Sequence, residues 1–224
     1  AALILTAILI GLGVWQLERL QWKLALIAEV NGHMTVAPIG LDTALAMKAE
    51  DAQYRRVALS GRFDNAREAY VFTTDAQGLP IYHVLTPFKT DDGRALLVDR
   101  GLIPKDRLDP ATRTPVEGET QLVGVWRVPD APGLFTPAPD PAHRIWYARD
   151  VKGIAAADHL RLAAPVLIEA DAAPNPGGWP KGGQTVVSFR NEHLSYAITW
   201  FGLAAGLIGV YLAFHISKGR LSWA

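Results

Sequence analysis

Two apolar stretches without a charged side chain, one near each end of the chain, constrain the fold more than any other feature. Ala1 to Leu17 has no Asp, Glu, Lys or Arg, and neither has Leu194 to Phe214. The second stretch is about 21 residues long, so at ~1.5 Å per residue a helix of it spans roughly 31 Å, the thickness of a bilayer's hydrocarbon core. The spacing predicts a transmembrane helix with an outward extension over 1–30, an extramembrane region over 31–190, a second transmembrane helix over 191–216 and a tail over 217–224. Apolar positions Leu20, Leu24, Ile27 and Val30 carry the first helix past the membrane surface to a turn at Asn31-Gly32. Ala7 and Gly11 on the first helix, and Gly202 and Gly206 on the second, are four apart and would let helices approach closely. Lys218 and Arg220 follow the second helix, which places the tail in the cytoplasm and the central region outside. No small-residue cleavage site precedes Trp15, so the first stretch reads as a retained span rather than a signal peptide. The chain opens inside an apolar run without methionine, and a short preceding segment is expected.

All 22 acidic residues lie between Glu18 and His193 with 20 of the 22 basic ones, Lys218 and Arg220 being the other two, a net of −2. A near-neutral central region gives no electrostatic case for nucleic acid. With no cysteine, disulfides, thiolate chemistry and covalent haem attachment through C-x-x-C-H are excluded. The central region is long enough to bury its own core. Its strand signals are Tyr54–Phe63, Ala69–Thr73, Ile81–Thr86 (Tyr82 and Val84 on one face, His83 on the other), Ala95–Val98, Gln121–Val128, His143–Tyr147, Pro165–Ala170 and Thr185–Phe189. Turn chemistry separates them, with Asp91-Asp92-Gly93 the strongest hairpin signal. Short helices are expected at Asp42–Lys48, capped by Asp42, and at Val151–Leu162, capped by Asp150. Pro129–Pro141 reads as a loop. The expected class is an α+β membrane protein: two transmembrane helices flanking a mainly antiparallel β domain with one or two short helices.

No catalytic constellation is present: no H-E-x-x-H, G-x-S-x-G, Walker loop or G-x-G-x-x-G. The chain therefore reads as a binding protein, not an enzyme. Asp91-Asp92 sits in a turn, and His33, His83, His143 and His159 are scattered singly. Asp158-His159 is expected on the exposed side of a short helix. His193 differs by position, one place before the second apolar run, with Tyr196 and Trp200 following at helical spacing. Two readings stand. His193 is an axial ligand for haem iron, with the ring system against Tyr196 and Trp200; or it is an interfacial histidine that caps the helix or bonds to the preceding loop. Trp15, Arg19 and Trp22 share one face at the exit of the first helix. They form either an aromatic belt with snorkelling bases, which composition favours, or, with Lys23 and Arg190, a clamp for carboxylates such as haem propionates.

Several longer patterns resemble the Surfeit locus protein 1 family of cytochrome c oxidase assembly factors, and a bacterial member in particular. They are Gly13-Val-Trp-Gln-Leu-Glu-Arg19-Leu-Gln-Trp22-Lys23, Tyr54-Arg-Arg-Val-Ala-Leu-Ser-Gly-Arg-Phe63, Gly78 through Pro87, Leu97-Val-Asp-Arg100-Gly101-Leu-Ile-Pro104, Ile145-Trp-Tyr147 with Asp150, Trp179-Pro180, Gly182-Gly183 and Asn191-Glu-His193-Leu-Ser-Tyr196-Ala197-Ile-Thr199-Trp200. Leu102 and Asp99 depart from the residues usual in the family. The resemblance implies a membrane protein that binds haem a and supports its insertion into oxidase subunit I. His193 is the implicated ligand, and subunit I, haem A synthase and membrane lipid are the partners. A haem-free scaffold that stabilises nascent subunit I is the alternative. For a bacterial member the location is the inner membrane, with the central domain periplasmic.

Overall fold

The computed structural model describes residues 2–129, 132–185 and 191–220. Its helices and strands, in chain order, are α1 (Ala2–Thr35), β1 (Ile39–Gly40), α2 (Leu41–Ala46), α3 (Ala49–Ala52), β2 (Arg56–Phe63), β3 (Ala69–Thr74), β4 (Pro80–Thr90), β5 (Ala95–Pro104), β6 (Thr120–Arg127), β7 (Ile145–Trp146), α4 (Val151–Ala157), β8 (Leu162–Ala170) and α5 (His193–Ser217). Two apolar terminal helices thus flank, in sequence, a mainly antiparallel β domain. The chain divides into two compact units: residues 1–32 with 187–224, and residues 33–186.

The first unit is built on α1 and α5, both long and apolar enough to cross a membrane and so candidate membrane spans. They pack at Gly13, where a Cβ would lie 2.6 Å from the Phe201 ring. Ala197 and Ala204, on the same side of α5 as Phe201, are buried. Gly11, Gly202 and Gly206 have nothing within 4 Å of where a Cβ would stand, so the close approach is not at the expected small-residue pairs. Nor does α1 stop at Asn31-Gly32. One glycine costs a helix interior about 1 kcal/mol, too little to stop a helix of 34 residues whose last turn is tethered, with His33 Nδ1 3.4 Å from the Gln53 carbonyl.

In the second unit, β2, β6, β8, β5 and β4 follow one another in hydrogen-bonded order, and β4 returns to β2, closing a five-stranded barrel. The contact β5–β8 is parallel, as are the edge pairings β1–β2 and β3–β7; the others are antiparallel. Gly61 pairs with Thr90 on one side and Thr120 on the other. A Cβ there would stand 2.2 Å from the Lys89 carbonyl oxygen, so only glycine lets β2 serve two neighbours.

Alternation along the strands sorts the core onto two faces. Leu96, Val98, Val166 and Ile168 join Val57, Phe88 and Trp126, and α2 and α3 add Leu41, Ala44 and Ala52. Leu97 and Leu167 point the other way, onto Trp146, Val151 and Ile154. Burial on both faces explains why Leu96-Leu97-Val98 reads as a continuous apolar run. At seven residues, α4 cannot persist alone. Ile154, wholly buried, contributes roughly 1.5–3 kcal/mol, and Asp150 accepts the Gly153 N–H at 2.9 Å as N-cap, adding about 1 kcal/mol.

The central hairpin is longer than its sequence signals. β4 runs through Pro87, which has no N–H to give but whose carbonyl accepts from Asp64 N at 2.8 Å and so stays tied to the chain after β2. β5 runs through Gly101 by a bulge: His83 pairs with Leu102 and Leu85 with Asp99, so Arg100 and Gly101 together oppose Val84. Elsewhere the expected elements shorten or shift. Asp42 lies inside α2 rather than capping it, and pairs with Arg94 at 2.7 Å. β7 is limited to Ile145–Trp146, since Arg144 has φ 58°. α4 ends at Ala157 and β8 begins at Leu162, with His159 at φ 52° between them. Asp158 is buried against Arg144, with both contacts 2.8 Å, and is not a solvated helix residue. The expected strand Thr185–Phe189 falls outside the described residues beyond Thr185.

Candidate functional site

His193 is the first residue of α5. The residue before it, Glu192, makes no side-chain cap bond, and His193 does not cap the helix either. Its Nδ1 lies 2.7 Å from Gln16 Oε1 on α1. With the ring proton on Nδ1, that nitrogen donates to Gln16 and Nε2 keeps a free lone pair. This is the arrangement of histidines that ligate metal: one nitrogen for the metal, the other held by an acceptor that fixes tautomer and ring direction. The ring is half-buried, so Nε2 is not sealed inside protein. Gln16 escaped notice in sequence because an amide among aromatics and charges has no motif. The available signal was its place, one residue from Trp15 and one turn before Arg19.

The helix ladder sets the other expected residues around this pair. Arg19 is three residues beyond Gln16 and Lys23 seven, so their Cα atoms stand ~4.5 and ~10.5 Å further along α1. Arg19 lies over the Trp22 ring, 4.9 Å from its centroid, a cation–π contact that orients the guanidinium. Trp15 and Trp22 are half exposed at 50% and 54%. On α5 the side turned to α1 carries His193, Ala197, Phe201 and Ala204, of which the two alanines are buried and Phe201 faces Gly13. Tyr196, 52% exposed, and half-buried Trp200 flank this seam rather than fill it. Arg190 lies outside the described residues. Among the described residues no cluster of three His, Asp or Glu side chains could seat a bare metal ion. An iron that brings four porphyrin nitrogens needs only the axial imidazole, so the residues present fit a haem.

The β domain contains two buried ionic clusters that single-residue reading missed. In one, His83 Nδ1 lies 2.9 Å from Asp99, Arg149 reaches His83 Nε2 at 3.1 Å and Glu169 at 2.7 Å, and Arg127 stands 3.4 Å from Glu169. Asp99 and Glu169 are partners across the parallel β5–β8 contact, so two carboxylates meet there and the arginines neutralise them. In the other, Arg113 and Arg100 both pair with Glu68, at 2.6 and 3.1 Å, and the Tyr70 hydroxyl donates to Glu68 at 3.0 Å. Burial first, then the Glu68 charge, pushes the Tyr70 phenol well above its usual value.

Known proteins resemble this chain along nearly its whole length. The SURF1 family profile matches residues 3–205. Surfeit locus protein 1 of Mus musculus is 38% identical over 220 residues, covering 91% of this chain and 71% of the relative. The protein of the same name from Takifugu rubripes is 35% identical over 234 residues, covering 96% of both chains. That of Homo sapiens is 35% identical over 216 residues, covering 87% of this chain and 70% of the relative. With a family profile spanning α1, the barrel and the first half of α5, and relatives this similar over this much of their length, the chain belongs to the SURF1 family.

Proposed function

We propose that this protein is a haem a carrier in the assembly of cytochrome c oxidase: it holds the pigment at the membrane surface and supports its insertion into oxidase subunit I. The observation that carries the reading is the Gln16–His193 bond. It holds one imidazole nitrogen and leaves the other for iron, at the end of a helix apolar enough to lie in lipid. Haem a is cargo here, and its iron would take His193 Nε2 as axial ligand. Tyr196 and Trp200 give the ring an apolar and aromatic wall. Arg19 and Lys23, beyond Gln16 on α1, supply cations for the propionates, and Trp15 and Trp22 seat that end of the helix in the headgroup layer. Arg190 would join the cations from the second helix. In a bacterial cell, the reading places the protein in the inner membrane with the β domain on the periplasmic side. Haem A synthase is then the donor, subunit I the acceptor and lipid the solvent. No nucleophile or catalytic metal cluster is required of a carrier, and the reading assigns the chain no turnover.

Full-length protein purified from membranes of cells that make haem a is expected to carry a pigment that extracts as haem a. In a haem titration, Arg19→Ala is expected to weaken binding without preventing membrane insertion, and unchanged occupancy would remove Arg19 from the site. The scaffold reading, in which the chain only steadies nascent subunit I, calls for copurification with subunit I and no pigment.

A further inference from the structure

We infer that the cavity between Arg100 and Arg113 in the β domain binds a small monovalent anion of chloride size. The site is independent of the haem reading. Its case begins with charge. The side chains of Arg100 and Arg113 are 3% and 4% exposed, and Glu68, the carboxylate both of them touch, is 6% exposed. Among the described residues no other acid lies within 4.0 Å of either guanidinium. Two buried positive charges therefore share one negative charge, leaving one in excess. An arginine cannot shed its proton to escape this, and an uncompensated ion in a protein interior costs several kcal/mol. Burial already lowers the Arg100 pKa from its usual value, the direction expected of a cation short of counter-charge.

Hydrogen bonding shows that the cluster has no acceptor to spare. Glu68 is saturated: Oε1 takes Arg100 Nη1 at 3.1 Å, and Oε2 takes Arg113 Nη2 at 2.6 Å and the Tyr70 hydroxyl at 3.0 Å. Asn65 is also spent, its Oδ1 accepting from Arg100 Nη1 and its Nδ2 donating to the Val116 carbonyl. Yet the buried Nε of Arg100 and the buried Nε of Arg113 have no partner. The rings beneath them, Phe63 at 4.8 Å from Arg100 and Tyr70 at 5.8 Å from Arg113, offset part of the charge, and the Tyr70 hydroxyl accepts from Arg113 Nη2 at 3.1 Å, but neither takes an Nε. The bulge at Arg100-Gly101 aims Arg100 into this region, and the loop carrying Trp179 closes over it, with Lys181 backbone bonded to Leu102.

Between the two arginines lies a cavity of about 40 Å³, lined also by Asn65, Glu68, Thr114 and Trp179. That volume takes one small ion, or about three waters at ~10–15 Å³ each. Waters would fill the volume but leave the charge. A dianion such as sulfate is too large and would overshoot a deficit of one. A single halide-sized monovalent anion meets the volume and the charge together.

The test is the chloride NMR line width of the detergent-solubilised full chain, with gluconate as the replacement anion, together with thermal unfolding in the same salts. The expected result is saturable broadening, relieved by nitrate, and a midpoint that rises with chloride but not with gluconate. Arg113→Gln removes the excess charge while keeping the Glu68–Arg100 pair, and Thr114→Glu brings a carboxylate to the cavity without touching the buried network. Each is expected to weaken chloride binding by at least ~10-fold, about 1.4 kcal/mol. Wild-type protein with no saturable broadening, or broadening that persists in both variants, would overturn the site and leave the cavity to water.

Discussion

A histidine whose Nδ1 is held by an acceptor presents Nε2 in one direction, and Gln16 is that acceptor for His193. Replacing it by leucine keeps the volume and removes the bond. Loss of such an outer partner costs ~10–100-fold in metal affinity, so Gln16→Leu is expected to bind haem that much more weakly, with an altered spectrum, while His193 itself remains. A titration indistinguishable from wild type would show that the bond is incidental. In the β domain the residue of interest is Tyr70. Its phenol is raised above the ordinary value of about 10 by burial and by Glu68. A group with a raised folded-state pKa contributes stability that is fully present below its unfolded pKa and is lost as pH climbs toward the folded value. Stability attributable to Tyr70 is therefore flat at neutral pH and falls only above about pH 10, a fall that Tyr70→Phe removes. Denaturant unfolding of the two proteins across alkaline pH checks this.

At the level of elements, the helix pair depends on Gly13, which leaves room for the Phe201 ring. Gly13→Leu would force the two helices apart and loosen the Gln16–His193 bond one turn away. Adding Phe201→Ala vacates the space, so the double variant is expected to recover part of the loss, a coupling of ~0.5–3 kcal/mol. Thermal unfolding in detergent reads this coupling, and strict additivity would place the contact elsewhere. Much at this scale was legible in the chain itself. The two apolar runs gave α1 and α5, the Asp-Asp-Gly turn gave the β4–β5 hairpin, and Asp150 gave the start of α4. What escaped was set by distant contacts. Pro87 and Gly101 look like strand breakers until the Asp64 N–H donates to the carbonyl of the one and a bulge absorbs the other. The seam at Gly13 was hidden because small-residue spacing is common in apolar helices and does not say which glycine meets a ring. Gln16, Glu68 and Arg113 carry no motif; only the fold brings each to its partner.

On the scale of the whole molecule, the chain combines a pair of membrane-length helices with a small barrel that has its own two-faced core. The His193 region belongs to the first unit and the ionic clusters to the second, so the two can be tested separately. A variant in the Arg100–Arg113 cavity is expected to leave pigment binding alone, and one at His193 is expected to leave barrel stability alone. The most direct measurement is the absorption spectrum, with extracted-pigment analysis, of the full-length protein and its His193→Ala variant purified side by side from cells that make haem a. A haem a carrier ligated by His193 predicts pigment on the wild-type chain and its loss from a variant that is still folded and inserted. Equal pigment load and the same spectrum in both proteins would contradict that assignment.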